Sequence, residues 1–112
     1  MNRGISNRNN NSWETELSRI RETAVGTVVR WAQSDRNELT MRSQVNRYME
    51  ASGAHNSPGG EEGIMLGRRI VAREILLGCI TPLSREQLRK AEGMLLRIAE
   101  DDAPRVKRGR GI

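Results

Sequence analysis

The chain has no phenylalanine, one histidine and one cysteine, and its aromatic residues are confined to Trp13, Trp31 and Tyr48. Each shortage closes a class of function. One cysteine excludes an intramolecular disulfide framework and fits a reducing compartment, cytoplasmic or nuclear. A structural zinc site needs about four Cys, His or acidic ligands, which Cys79 and His55 cannot supply, so no metal is expected. Nucleophilic catalysis needs a converging base, and Cys79 has no histidine-based framework around it. No catalytic residue or cofactor is assigned, and the chain reads as a non-enzyme. Long apolar runs are also missing. The stretch from Ile64 to Ile80 is interrupted by Arg68, Arg69, Arg73 and Glu74, so no membrane span is expected, and the polar N-terminus has no secretory apolar region. The Pro58-Gly59-Gly60-Glu61-Glu62-Gly63 turn superficially suggests a phosphate cradle, but two carboxylates would repel the phosphate and no Gly-Lys-Ser/Thr follows.

Lysine is scarce too. Seventeen arginines stand against Lys90 and Lys107, a skew that reflects either selection for a guanidinium able to fork onto phosphate or simple nucleotide composition. The surplus positive charge sits at the ends. Residues 1–11 carry Arg3 and Arg8 and no acid, and residues 105–112 carry Arg105, Lys107, Arg108 and Arg110 and no acid. The segment between holds the other 13 basic residues and all 14 acidic ones, a net charge of −1. A neutral domain with cationic tails binds polyanions through those tails or through one sorted face.

Helical periodicity fills the middle of the chain. Trp13, Leu17, Ile20, Ala24, Val28 and Trp31 recur at three- and four-residue steps behind a cap at Asn11 or Ser12, which predicts a helix over about 12–33. Asp35 with Glu38 predicts a capped second helix over 35–52, with Met41, Val45, Tyr48 or Met49, and Ser52 on one face and Gly53 as its stop. Residues 54–60 form the longest break and the expected mobile loop, where His55 is expected to be solvated. A third helix over 61–78 starts with Glu61 and Glu62 and is apolar on more than one stripe, which predicts a central position. Its Gly63 and Gly67 suggest close approach by another helix. The sharpest signal is Leu83-Ser84-Arg85-Glu86-Gln87-Leu88, which reads as a capping box with a hydrophobic staple. Leu88, Ala91, Leu95 and Ile98 then give the seam of a fourth helix over 84–100.

The expectation is therefore an all-α chain: a compact four-helix domain over 12–104, or an intertwined helical homodimer, between a disordered arm (1–11) and a disordered basic tail (105–112). Trp13 and Trp31 are assigned to the core, Cys79 to a buried helix end, and Tyr48 is kept as a stacking candidate. Arg68, Arg69 and Arg73 on the third helix, with Arg42 and Arg47 on the second, are the candidate phosphate-binding face, alongside Arg105, Lys107, Arg108 and Arg110. The bland alternative pairs Arg69 with Glu62 or Glu74, and Arg42 with Glu38. The favoured function is an oligomeric accessory protein, of viral, phage or plasmid type, that binds RNA or DNA through phosphates, RNA being favoured. The rival is a helical adaptor, inhibitor or assembly factor that binds another protein, its tails serving solubility or nuclear localisation.

Overall fold

A computed structural model describes residues 2–105, with side chains from Ser12 onward. Among the described residues the chain forms α1 (Asn2–Ser34), α2 (Glu38–Ala51), a 3-10 turn (Ala54–Asn56), α3 (Gly60–Leu77) and α4 (Arg85–Asp101), and no strand. The all-α four-helix architecture follows from the periodicity of the sequence. α1 packs chiefly on α2, and α3 on α4; α4 also touches α1 and α2 and so ties the two pairs together.

The capping box at the head of α4 is fully formed: Ser84 Oγ accepts from the Gln87 amide at 3.2 Å, and Gln87 Oε1 accepts from the Ser84 amide at 3.0 Å. Leu83 is buried just before it and Leu88 packs on the same core, as a staple requires. The stripe Ile20, Ala24, Val28 and Trp31 of α1 is buried against Met41, Val45, Tyr48 and Met49 of α2, while Ala91, Leu95, Ile98 and Ala99 form the inner seam of α4.

Several expectations need correction. α1 is continuous from Asn2, so Asn11 and Ser12 lie inside the helix instead of capping it; no proline interrupts that polar segment. Trp13 stands 58% exposed, because the core contacts of α1 begin further along the helix, at Leu17 and Ile20. The second helix starts at Glu38, and Asp35 is not its cap. Asp35 and Asn37 both take left-handed backbone conformations (φ 60° and 63°), the short link between α1 and α2 demanding a reversal that acidic and amide side chains tolerate best. α3 touches every other element, yet Leu66, Ile70 and Leu77 face outward, so its broad apolar pattern is two stripes, one buried and one exposed.

The segment 54–60 is pinned at its first turn. Ala54 is buried, and Gly63 and Gly67 of α3 permit the approach of this segment, not of another helix. A Cβ on Gly63 would lie 1.6 Å from the Pro58 carbonyl oxygen, and one on Gly67 would lie 2.5 Å from Ser57 Oγ. No helix among the described residues is long and apolar enough to cross a membrane.

Candidate functional site

The five candidate arginines of the domain do not share a face. In an α-helix successive residues turn by about 100°, so a five-residue step separates side chains by about 140°; Arg68 and Arg73 diverge by that much, as do Arg42 and Arg47. Arg68 is fully buried. It occupies the inner stripe of α3 with Ile64, Val71 and Ile75, and cannot reach a phosphate. Arg69 leaves α3 sideways and pairs with Glu100 of α4 at 2.8 Å, not with Glu62 or Glu74. Arg42 is half-buried, pairing with Glu38 at 3.4 Å, as the sequence spacing allows, and with Asp102 at 3.1 Å. Arg47, Arg73 and Arg105 are exposed and make no ion pair among the described residues. Lys107, Arg108 and Arg110 lie outside the described residues.

What the burial of Arg68 builds is a polar centre joining three helices and the 3-10 turn. Its Nε donates to the carbonyl of Ala99 at 2.9 Å, an orphan acceptor at the end of α4, and its Nη2 to that of Ile98 at 2.8 Å, which also accepts from the Asp102 amide. Nη2 also donates to Asn46 Oδ1 of α2, and Nη1 to His55 Nε2 at 2.9 Å. Four of the five guanidinium N–H groups are thus used, which is why a charge can be buried here at all. Asn46 relays the network onward, its Nδ2 donating to Asp102 Oδ2 at 3.0 Å. Asp102, at the C-cap of α4, also accepts from Arg42 Nη1 at 3.1 and 3.3 Å. Asp101 and Asp102 sit at the helix end where acids are unfavourable, and α4 has no basic residue in its own last turn. Arg68 of α3 and Arg42 of α2 supply the missing positive charge.

The same device closes α1, whose last turn also lacks a cation. Lys90 of α4 reaches across to pair with Asp35, lies 4.8 Å from the centre of the Trp31 ring, and approaches the Ala32 carbonyl at 3.5 Å. None of these cations, Arg68, Arg42 or Lys90, is on the helix it caps.

His55 is not a solvated loop residue. It accepts a hydrogen bond from Arg68 at Nε2, so its neutral ring carries its proton on Nδ1. Burial, and then the neighbouring Arg68, lower its pKa from 6.5, with Glu50 opposing. Tyr48 is buried at 3% exposure and donates to Glu74 Oε1 at 3.2 Å, which removes it as a base-stacking candidate. Its pKa is raised, by burial first and then by Glu74. Cys79 is fully buried, donates its S–H to the Ile75 carbonyl at 3.4 Å, and is pushed up to about 11 by burial. Among the described residues no three His, Cys, Asp or Glu side chains gather as a metal would require.

The sequence held a signal for Arg68. It stands four residues after Ile64 and three before Val71, inside an apolar stripe, and such a position implies either burial or interruption of the core. The partners that make burial possible come from residues 46, 55 and 98–102, which no local pattern links. No family model matches the chain, and no curated protein or solved structure matches it.

Proposed function

We propose that this chain is a non-enzymatic nucleic-acid-binding accessory protein in which the folded helices are a near-neutral platform and the phosphates are held by the C-terminal cations. The observation that carries this reading is the charge distribution. After Asp102 the chain has Arg105, Lys107, Arg108 and Arg110 and no further acid, whereas the arginines of α2 and α3 point in several directions or are consumed inside the fold. An Arg-Gly-Arg-Gly segment suits sequence-independent contact with single-stranded RNA, where flexible cations follow the backbone. Supporting the non-enzymatic part, the thiol of Cys79 is enclosed and His55 is engaged by Arg68.

Fluorescence anisotropy of the full chain with generic single-stranded and duplex RNA tests the reading. Four released counterions give a slope of log affinity against log salt of about −3 on single strands and nearer about −3.6 on duplex. Removal of residues 105–112 is expected to abolish binding, whereas Arg47→Ala and Arg73→Ala weaken it little. Absence of binding at about 50 mM salt, where phosphate contacts are strongest, would overturn the proposal.

A second reading, in which the domain is itself a protein-interaction element, has its own support: Leu66, Ile70 and Leu77 expose 59%, 57% and 68% of their surfaces along one side of α3.

A further inference from the structure

α3 carries two opposed stripes. Ile64, Arg68, Val71 and Ile75 face the core; Leu66, Ile70 and Leu77, at spacings of four and seven, point about 150° away from it. Leu66 and Ile70, one turn apart, and Leu77, about two turns further on beyond Arg73, make an apolar row more than half exposed, which differs from the isolated exposed residues of an ordinary surface. The strip is edged by two exposed charges, Glu62 and Arg73, neither of which has an ion-pair partner among the described residues.

We infer that this strip is a homodimer interface in which α3 packs antiparallel against α3 of a second copy. The pattern is self-complementary in one register. Across a two-fold axis perpendicular to the helices, residues meet when their numbers add to a constant. A sum of about 136 sets Leu66 against Ile70 of the second copy and Ile70 against its Leu66, while Leu77 reaches past the start of the second copy's α3 at Gly60. The same register sets Glu62 against Arg73 of the second copy, and symmetry repeats the pair.

The flanks agree with this register as well as the spacing. Glu62 and Arg73 lie on the same side of the strip, within about 60° of it, and a two-fold of this kind brings each flank against its own copy. The opposite charges therefore meet twice, on the edge of an apolar contact. The competing register, with Leu66 against Leu77 of the second copy, puts Arg69 against Arg73 on that flank and is disfavoured by like charge. Charge thus selects one alignment of a strip that apolar spacing alone would leave free to slide. This inference does not rest on the tail binding nucleic acid; where both hold, a dimer presents two tails and adds avidity.

Sedimentation velocity of the full chain, from about 1 to 200 μM, is the test, since an interface of this kind is expected to associate with a micromolar constant. The expected result is a reversible species of twice the 12.6 kDa chain mass. Ile70→Glu is expected to leave a monomer with unchanged helical circular dichroism, since the side chain is outside the core. Glu62→Arg and Arg73→Glu are each expected to weaken association by about tenfold or more. The double variant, or an equimolar mixture of the two single variants, restores it, because each then faces an opposite charge again. A wild-type chain that stays monomeric at 200 μM, an Ile70→Glu variant that still dimerises, or charge variants that the swap does not rescue would each overturn the assignment.

Discussion

Arg68 of α3 donates Nη2 to the main-chain oxygen of Ile98 at 2.8 Å, so the end of α4 is capped by a side chain from another helix. The contact supplies the positive charge that α4 lacks in its own last turn and adds a buried polar link to the α3–α4 pair.

Arg68→Ala is therefore expected to cost about 3–5 kcal/mol of folding stability, the usual penalty for breaking a buried charge network from one side. The carbonyls of Ile98 and Ala99 and the side chains of Asn46 and His55 all lose a donor. Urea unfolding followed by circular dichroism measures it. Arg68→Lys is expected to recover only part, since an ammonium cannot fork to four acceptors on three sides. Arg73→Ala, on the exposed side of the same helix, is expected to stay within about 0.5 kcal/mol of wild type under conditions where the chain is monomeric. Equal losses from the two changes would mean that Arg68 does not hold the centre.

The helices were legible because their signals are local. Ser84 and Gln87 are three residues apart, and Ile20, Ala24 and Val28 declare their common face by spacing alone. The start of the second helix is less legible, because Asp35-x-x-Glu38 imitates a capping box, whereas the sharp link between α1 and α2 puts Asp35 and Asn37 into left-handed conformations. The dispersal of the helical arginines is hidden for a different reason. Arginines counted along a helix look like a patch, but a side chain's direction is decided by position on the wheel, and its availability by partners far away in sequence. Glu100 for Arg69 and Asp102 for Arg42 lie 31 and 60 residues from the cations they engage.

Protonation of His55 should be visible in stability. Its folded pKa is below the unfolded value of 6.5, so between the two the unfolded chain binds more protons, and stability falls as the pH drops through about 6.5. Above that range the neutral ring keeps its Nε2 acceptor for Arg68 and the contribution is fully present. His55→Gln, whose Oε1 can stand where Nε2 stands but does not titrate, is expected to remove this part of the pH dependence. Unfolding free energies compared between about pH 8 and pH 5.5 decide it; a slope unchanged in the variant would contradict the assignment.

Cys79 should be nearly inert in the folded chain. With a pKa of about 11, only about one thiol in a thousand is ionised at pH 8, and the sulfur has no exposed surface. Iodoacetamide labelling followed by mass spectrometry is expected to be slow in buffer and to accelerate sharply in denaturant. Rapid labelling of the native protein would show that the junction between α3 and α4 opens readily.

Two glycines on different helices should respond oppositely to the same methyl group. Gly63 has helical backbone geometry, so alanine there meets no conformational objection, but its Cβ would fall 1.6 Å from the Pro58 carbonyl oxygen. Because the obstacle is backbone, the loop must move, and Gly63→Ala is expected to destabilise by about 1–3 kcal/mol. Gly93, inside α4, has nothing within 4 Å of an added Cβ. Gly93→Ala should therefore stabilise, by about 0.4–1 kcal/mol, through the restricted unfolded chain and better helix propensity. Thermal melts of the pair separate the two causes, since propensity alone would raise both midpoints. A lowered midpoint for Gly63→Ala beside a raised one for Gly93→Ala is the result that places Pro58 against the first turn of α3.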